Sequence, residues 1–454
     1  MRIHFIAIGG AVMHNLAIAL HKKGYNVTGS DDEMFEPSKS RLASYGLLPL
    51  QTGWDPDRIS LGLDTIILGM HAKADNPELL RAKELGINIL SFPEYLYEQT
   101  KNKLRIVVGG SHGKTTTTAI IMHVLKRSGV KFDYMVGASI EGFETMVGLD
   151  NESKIAVFEG DEYLTSSIDR RPKFHLYKPD IAIINGIAWD HMNVFPTYET
   201  YVNQFRIFAD TITPGGTLVF FEEDPEVATI AGSVRKDIRL VPYNTHGYFQ
   251  NKTGFFAATH NRVIRLKIFG EHNMQNISAA REACFKAGIS EDQFYEALES
   301  FEGTSRRLQK LSENKNGIVY LDFAHSPSKV KATLNAVAER YTDREIIVCL
   351  ELHTFSSLNC DFLPYYSGTL EKASRAYIYF NPHALEMKKL PPLSGKKIIE
   401  SFGGKNISVY NDSSILFREI KKVKNNNPVY LLMSSGDFDG RDMNELSVYL
   451  LSNK

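Results

Sequence analysis

The segment from Gly110 to Thr115 reads Gly-Ser-His-Gly-Lys-Thr, and its residue types fit the binding of nucleotide phosphates. We call this segment the phosphate loop. Glycines let backbone N–H groups point towards an anion, and a helix that starts after them adds partial positive charge. Lys114 can bridge the β- and γ-phosphates, and the Thr115 hydroxyl can ligate Mg²⁺. Val108 stands where the general pattern has its first glycine, and the alternative is a glycine-rich helix start without a ligand. The strand predicted before the loop and the helix predicted after it favour the nucleotide site.

Two polar clusters further along the chain follow apolar segments that are predicted to be strands. Glu159 opens the run Glu-Gly-Asp-Glu-Tyr directly after 155–158, and Asp190-His191 comes shortly after 181–184. Carboxylates at the C-terminal end of a strand in a phosphate-loop domain are where Mg²⁺ is held. A solvated acidic turn and a structural histidine are the alternatives. The positions at strand ends favour ligand roles for Glu159 and His191.

Three later clusters lie where predicted elements meet. His272, Asn273 and Asn276 surround the start of a helix, where a spacing of three or four residues keeps side chains together. Amides suit the donor–acceptor edge of adenine, and helix capping is the alternative. Arg307, in a pair of arginines, offers bidentate contacts to phosphate, or belongs to a solvated turn. Asp322 ends a predicted strand and could be presented to a ribose or to the γ-phosphate region.

The N-terminus holds a second glycine turn. Gly9 and Gly10 follow the apolar run 3–8, an arrangement similar to a dinucleotide fingerprint but without its glycine spacing. Ser30 and Asp31 close the second predicted strand, and an acid in this position suits the hydroxyl or ring N–H donors of a ribose or a uracil. The alternative is a tight turn between a strand and a helix that binds no ligand.

Length and composition restrict the class of protein. The chain has 454 residues, of which 43% are hydrophobic and 23% charged, so a globular protein of about three domains is expected. A net charge of −1 favours neither nucleic acid nor an anionic membrane as a partner. The sequence contains neither an apolar run of ~18–20 residues nor a secretory signal pattern. Three cysteines without metal-type spacing fit a reducing cytoplasm.

Short apolar runs alternate with longer helical patterns, which predicts repeated βα units around mostly parallel sheets. The expected fold class is therefore α/β, with three domains at residues 1–102, 103–303 and 304–454. The predicted strands include 25–32, 64–68, 104–108, 318–323, 345–350, 376–380 and 429–433, and the region 215–268 is predicted to be rich in strands. Helices are predicted at 11–23, 114–128, 274–287 and 292–299.

Taken in chain order, these segments resemble the Mur ligase family, and the resemblance covers nearly the whole chain. The pattern runs through Gly-Ser-Asp, Gly-Ser-His-Gly-Lys-Thr, Glu-x-Asp-Glu, Asn-x4-Asp-His, Gly-x-His-Asn-x-x-Asn, Arg-Arg and Asp-Phe-Ala-His-x-Pro. The resemblance implies a Rossmann-like UDP-sugar domain, a central phosphate-loop ATPase domain and a Rossmann-like domain for the amino acid or peptide. It implies ATP and Mg²⁺ as cofactors and UDP-N-acetylmuramate as a substrate. Oligomeric state and lysine carbamylation stay open.

The resemblance also implies roles for individual residues. Catalytic roles are implied for Lys114, Glu159 and His191, and metal binding for Thr115, Glu159 and His191. Nucleotide contacts are implied for Gly110, Ser111, His112, Gly113, Lys114, Thr115, Thr116, His272, Asn273, Asn276, Arg307 and Asp322. Contacts to the UDP-sugar are implied for Gly9, Gly10, Ser30, Asp31 and His71.

The acceptor is predicted from the segment 159–179, which is longer than in family members that add L-alanine. It resembles the insertion of members that join UDP-N-acetylmuramate to L-alanyl-γ-D-glutamyl-meso-diaminopimelate, through an acyl phosphate, in cell-wall recycling. This predicts a tripeptide acceptor, with L-alanine as the alternative. Residues 351–357 fit neither acceptor pattern. Ala188 and Leu321 stand where the family often has acids, which leaves the number of Mg²⁺ ions open and motivates a third interpretation, a non-catalytic UDP-muramate-binding relative.

Overall fold

The chain divides into two compact units, the first made of residues 1–187, 202–244 and 277–298 and the second of the remainder. The computed structural model describes residues 1–259, 261–423 and 427–452, and these residues form four sheets. No helix in this described part of the chain is long and apolar enough to cross a membrane.

The N-terminal strands and helices form a parallel four-stranded sheet with helical connections. They are β1 (Arg2–Ile6), α1 (Ala11–Lys22), β2 (Asn26–Ser30), α2 (Ser38–Ser44), β3 (Thr65–Leu68), α3 (Pro77–Glu84), β4 (Ile89–Ser91) and α4 (Phe92–Thr100). The strand order is β2-β1-β3-β4. Every residue of β3 is buried, as expected for a parallel strand covered on both faces. The glycine turn at Gly9 and Gly10 therefore lies at the C-terminal end of β1.

The central sheet has seven strands, and the phosphate loop follows its middle strand. The elements are β5 (Leu104–Gly109), α5 (Lys114–Arg127), β6 (Phe132–Met135), β7 (Val147–Gly148), β8 (Ile155–Glu159), β9 (Ile181–Ile184), α6 (Tyr198–Asp210), β10 (Thr217–Phe221), α7 (Pro225–Ser233) and β11 (Arg239–Tyr243). The order is β11-β10-β9-β5-β8-β6-β7, and only the pair β6–β7 is antiparallel among these described strands. The C-terminal ends of β5, β8 and β9 are therefore neighbours.

The second unit contains two further sheets. An antiparallel sheet is formed by β12 (Tyr248–Asn251), β13 (Gly254–Ala258) and β14 (Val263–Leu266). Two helices follow, α8 (Glu271–Lys286) and α9 (Glu291–Leu298), of which the part from residue 277 to residue 298 belongs to the first unit.

The six-stranded sheet of the second unit has the order β15-β16-β20-β17-β18-β19, with only β15 antiparallel among the strands described. Its elements are β15 (Gln309–Asn314), β16 (Gly317–Asp322), α10 (Pro327–Arg340), β17 (Ile346–Leu352), α11 (Phe355–Leu358), β18 (Arg375–Phe380), α12 (Pro382–Met387), α13 (Gly395–Phe402), β19 (Ile407–Tyr410), α14 (Ser413–Lys421), β20 (Val429–Met433) and α15 (Met443–Leu451).

The α/β fold class predicted from the sequence is confirmed, and the strands at 181–184 and 429–433 agree residue for residue. The region 215–268 is rich in strands, as predicted, because β10 to β14 lie inside it, and it also contains the helix α7, which was not predicted. The Asp224 side chain accepts from two backbone N–H groups at the start of α7, and Pro225 occupies its first turn, which is a helix start signal. The domain boundaries after residues 102 and 303 stay predictions.

Candidate functional site

The phosphate loop is shaped by glycines that no other residue replaces easily. Gly110 has φ +132° and Gly113, which precedes α5, has φ +74°, both in the region that favours glycine. A Cβ atom at Gly110 would lie 3.0 Å from the backbone nitrogen of Asn185, at the end of β9. The Ser111 N–H donates to the Gly186 carbonyl at 2.8 Å. The loop is thus held against the end of the neighbouring strand, with α5 starting directly after it.

Lys114 is held in place inside the loop by two acceptors. Its ammonium donates to the Gly110 carbonyl at 2.7 Å and to Glu162 Oε2 at 2.6 Å. Burial would lower the pKa of Lys114, but the carboxylates of Glu162 and Asp161 outweigh it and raise the pKa. The lysine therefore stays charged before any phosphate is bound. Glu162 was not among the predicted site residues, although it lies in the predicted acidic run.

Thr115 and Glu159 meet beside this lysine. The Thr115 hydroxyl donates to Glu159 Oε1 at 2.9 Å, and the Gly137 N–H donates to Glu159 Oε2 at 2.8 Å. Both side chains are buried. Glu159 is the last residue of β8, and Thr115 lies in the first turn of α5. The predicted proximity of the loop to the acidic run is thus observed for these two residues.

These two oxygen-bearing groups suit a magnesium ion that is bound mainly through nucleotide phosphates. Mg²⁺ typically takes one or two carboxylates and keeps water or phosphate oxygens for its other positions. Within the residues described, no group of three or more His, Cys, Asp and Glu side chains could hold a metal ion. The arrangement of Thr115 and Glu159 fits a shared ion and does not form a complete cage of protein ligands.

Asn185 is a further residue at this sheet edge that our site prediction omitted. Its amide donates to the Thr117 hydroxyl at 3.0 Å, and its carbonyl oxygen accepts from the Tyr243 hydroxyl at 3.0 Å. These contacts join β9 to α5 and β11 and fix the strand end that Gly110 packs against. Its place in the pattern Asn-x4-Asp-His was the signal in the sequence.

In the N-terminal sheet, Asp31 organises the glycine turn. Its Oδ2 accepts from the Gly9 N–H at 2.6 Å, and a Cβ at Gly9 would lie only 2.8 Å from that oxygen. Burial raises the pKa of Asp31 to about 6, while the Gly9 N–H opposes the shift. His71 is exposed in the loop after β3. The geometry brings Asp31 and Gly9, two predicted UDP-sugar residues, together at one sheet edge.

The predicted UDP-sugar residue Ser30 lies inside the N-terminal sheet region. The residue is fully buried, and its hydroxyl donates to the carboxylate of Glu78 on α3. Glu78 is itself buried, and it also accepts from the Asp55 N–H at 2.9 Å and lies 3.4 Å from His4. The Ser30 side chain is therefore part of an internal network, and only its backbone lies at the glycine turn.

In the second unit, Asp190 and His191 form a fixed loop. His191 has φ +56°, a conformation that costs about 1–3 kcal/mol and is common at functional sites. Its N–H donates to Asp190 Oδ1 at 2.8 Å. Burial would raise the pKa of Asp190, but Lys329 at 3.1 Å and the His325 side chain hold it well below the usual range. His191 belongs to the unit that also contains the C-terminal sheet.

The predicted adenine residues lie on the first turns of α8. Asn273 donates its amide to the Phe269 carbonyl at 2.8 Å, and Asn276 donates to Asn273 Oδ1 at 3.3 Å. His272 Nδ1 is buried without a hydrogen-bond partner among the described residues, and burial lowers the pKa of this histidine. Both amide nitrogens thus donate to groups at the start of the helix, and the role of these residues at adenine stays a prediction.

Asp322 and Arg307 form a local structure at the end of β16. Asp322 accepts from the N–H groups of Leu308 and Ala324, both at 2.7 Å, and from the Thr333 hydroxyl at 3.2 Å. The Arg307 guanidinium lies 4.7 Å from the centre of the Phe323 ring. Both oxygens of Asp322 therefore accept hydrogen bonds from its own chain, including one from Leu308, the residue after Arg307.

Each part of the chain matches a domain of one family. The Mur ligase family catalytic domain matches residues 2–103, the Mur ligase middle domain residues 108–284, and the Mur ligase glutamate ligase domain residues 306–436. The UDP-N-acetylmuramate–L-alanine ligase of Carboxydothermus hydrogenoformans is 30% identical, over 89% of this chain and 88% of its own. The UDP-N-acetylmuramate–L-alanyl-γ-D-glutamyl-meso-2,6-diaminoheptandioate ligase of Haemophilus influenzae is also 30% identical, over 74% of this chain and 76% of its own.

A solved structure shows the same fold over almost the full length. The UDP-N-acetylmuramate–alanine ligase of Thermotoga maritima superposes with a TM-score of 0.71, at 23% identity, over 97% of this chain and 96% of its own. Together with the domain matches and the relatives at 30% identity, this confirms the three-domain prediction. The chain belongs to the Mur ligase family, the ATP-dependent acid–amino acid ligases of peptidoglycan synthesis.

Proposed function

We propose that this ligase joins UDP-N-acetylmuramate to the tripeptide L-alanyl-γ-D-glutamyl-meso-diaminopimelate, in the recycling of cell-wall peptides. The observation that carries this proposal is the segment 159–179, and we call its part from residue 161 to residue 176 the insertion segment. It is an ordered structure: Thr165 and Arg171 are joined by a backbone hydrogen bond of 3.0 Å, and Leu164 and Pro172 form a β-bridge. The sequence of this segment resembles the insertion of tripeptide-adding members.

L-Alanine is the second candidate acceptor, because relatives named for L-alanine are up to 32% identical to this chain and a relative named for the tripeptide is 30% identical. A difference in identity this small does not separate the two functions. The relatives that carry the L-alanine name cover more of this chain, up to 96%. The resemblance of the insertion segment supports the tripeptide as acceptor, although more of the relatives are named for L-alanine.

The residues proposed to bind each part of the substrates lie mainly at the C-terminal edges of the sheets. Lys114 and the backbone of the phosphate loop bind the phosphates, and Mg²⁺, held by Thr115, Glu159 and His191, would neutralise the charge that develops on them. The remaining contacts are proposed as follows: adenine at His272, Asn273 and Asn276, ribose or phosphate at Arg307 and Asp322, and the UDP-sugar at Gly9, Gly10, Asp31 and His71. Residues 1–102, 103–303 and 304–454 are the proposed domains for sugar, ATP and acceptor.

The proposed reaction has two steps, and the residues of the chain mainly position the reactants and neutralise charge. In the first step an oxygen of the lactyl carboxylate bonds to the γ-phosphorus, the bond to the β–γ bridging oxygen breaks, and ADP leaves. Lys114 is already charged before the phosphates bind, because Glu162 and Asp161 raise its pKa. In the second step the amine of the acceptor attacks the acyl carbon, loses a proton, and phosphate leaves with the electrons of the broken C–O bond.

The test measures ADP release with ATP, Mg²⁺ and UDP-N-acetylmuramate, with either the tripeptide or L-alanine as acceptor. We expect turnover with the tripeptide and little with L-alanine. Turnover with L-alanine alone would overturn the tripeptide proposal and leave the family assignment intact. The variant Lys114→Ala serves as the control, because it removes the phosphate-binding ammonium and should abolish ADP release with either acceptor.

A further inference from the structure

The insertion segment contacts the N-terminal sheet region at two points, the loop after β3 and helix α4, both within the first unit. The Ser167 hydroxyl donates to the carbonyl of Ala72, which directly follows His71 in the loop after β3. The Arg171 guanidinium lies 3.4 Å from the carboxylate of Glu94 on α4. The segment starts directly after Gly160, at the acidic run beside the phosphate loop. It therefore connects the surroundings of the proposed sugar site with those of the proposed phosphate site.

Lys173 is the cation at this connection. Its ammonium donates to Asp161 Oδ2 at 2.5 Å, and its side chain is 15% exposed. The same nitrogen lies 5.6 Å from the centre of the Tyr163 ring and 5.9 Å from that of Phe92, the first residue of α4. Phe92 belongs to the N-terminal sheet region, and Asp161 and Tyr163 to the acidic run. One acid and two aromatic rings thus hold a largely buried charge between the two regions.

The neighbouring ion pairs show how the charges are distributed. Asp161, the partner of Lys173, directly precedes Glu162, the partner of Lys114. Two adjacent acids therefore hold two lysines, one of which is proposed to bind the phosphates. The proposed reaction brings a carboxylate up to the γ-phosphate, and both groups are negative. A cation fixed in advance beside the path of the carboxylate would reduce this repulsion at no cost of reorganisation.

We propose that Lys173 binds the lactyl carboxylate of UDP-N-acetylmuramate, and that Asp161 positions Lys173 for it. The proposal rests on the proposed function, because it assumes that this sugar nucleotide is the substrate. An ammonium has three donors, so Lys173 can bind the substrate carboxylate while it keeps its contact with Asp161. Asp161 acts through Lys173 and is a positioning residue.

The test compares two sugar nucleotides by isothermal titration calorimetry. UDP-N-acetylglucosamine lacks the lactyl carboxylate of UDP-N-acetylmuramate and shares its UDP and amino sugar. We expect Lys173→Met to weaken the binding of UDP-N-acetylmuramate by about tenfold or more, the loss of a hydrogen bond between charged groups. The binding of UDP-N-acetylglucosamine should stay within about twofold, and Lys173→Arg should retain most of the affinity for both. Lys178→Met, which removes an exposed lysine from the same part of the chain, is the matched control and should change neither.

The outcomes separate this proposal from a structural role and from the proposed function. Equal weakening of both nucleotides by Lys173→Met, or no weakening of either, would overturn it. In the double variant Lys173→Met with Asp161→Asn, the removal of Lys173 does not leave the Asp161 carboxylate without its partner. If the single variant does not fold, the binding of the two sugar nucleotides is therefore compared with the double variant. If the double variant binds UDP-N-acetylmuramate as the native protein does, Lys173 only neutralises Asp161 and the proposal is wrong. A native protein without preference for UDP-N-acetylmuramate would instead overturn the proposed function, and with it this assignment.

Discussion

Replacing Glu162 by glutamine tests the ion pair that holds the lysine of the phosphate loop. Glu162 Oε2 lies 2.6 Å from Lys114 Nζ, and the two side chains are 1% and 13% exposed. Removing one partner of a buried pair costs about 3–5 kcal/mol, because it leaves a buried charge without compensation. Lys114 keeps the Gly110 carbonyl at 2.7 Å, so we expect the lower figure, about 3 kcal/mol.

This loss of stability is large enough to measure by thermal unfolding. For a cooperative unit of about 150–250 residues, 3 kcal/mol corresponds to a fall in Tm of roughly 6–12 °C. Adding a non-hydrolysable ATP analogue with Mg²⁺ should reduce the difference in Tm between the variant and the native protein, because the phosphates supply the negative charge that glutamine lacks. Glu152→Gln is the matched control, since Glu152 pairs with Lys131 at the surface, where ion pairs contribute little.

Two results would refute this reasoning. If Glu162→Gln unfolds at the same temperature as the native protein without nucleotide, the carboxylate does not compensate a buried charge. If the difference in Tm between the variant and the native protein stays the same at saturating nucleotide, Lys114 does not leave Glu162 to bind a phosphate. Its role in the phosphate loop is then structural. The control variant should show the same Tm as the native protein in both conditions, which excludes a general effect of losing one carboxylate.

Three further predictions concern the two sheet edges of the first unit. Thr115→Val removes the hydroxyl that donates to Glu159, and ADP release should fall by about 100-fold or more, whereas Thr115→Ser should retain most of it. Because burial raises the pKa of Asp31 to about 6, its ionised form destabilises the fold increasingly from about pH 4 to pH 6 and fully above that. Urea unfolding should therefore show Asp31→Asn to be more stable than the native protein by about 3 kcal/mol at about pH 7.5, and equal to it near pH 4. Gly186→Ala would place a Cβ 2.6 Å from the His112 ring, and calorimetry should show about tenfold weaker ATP binding by a folded protein.

The phosphate site could be predicted from the sequence because each of its parts is local or follows from the parallel sheet. The loop and α5 are contiguous, and their glycines stand where positive φ angles are required. Glu159 ends β8, which pairs directly with β5, so the acid and Thr115 had to lie at the same edge. The pairing of β1 with β2 likewise puts Asp31 next to the Gly9 turn. Strand-end positions are thus informative without any knowledge of side-chain contacts.

Contacts between distant segments could not be predicted in this way. Ser30 was predicted to contact a ligand because it lies at the end of a strand. In the structure its hydroxyl donates to the carboxylate of Glu78, which is distant in sequence. Lys173 gave no signal alone, because its significance depends on Asp161 and on Phe92 from the N-terminal sheet region. In each case a polar side chain has several possible partners, and packing of non-adjacent elements selects one of them.

The C-terminal sheet shows the same limit most clearly. Glu351, the last residue but one of β17, is buried, and it accepts from the Ser434 hydroxyl and from the Phe438 N–H at 2.9 Å. Burial would raise the pKa of Glu351, but His353 and these two donors hold it below its usual value. Both donors come from the chain after β20, so the residue pattern at 351–357 could not reveal how this carboxylate is fixed. Residues that are distant in sequence therefore fix this carboxylate, and the pattern at 351–357 alone does not distinguish the tripeptide from L-alanine. A direct comparison of the two acceptors is the measurement that distinguishes the two candidate functions.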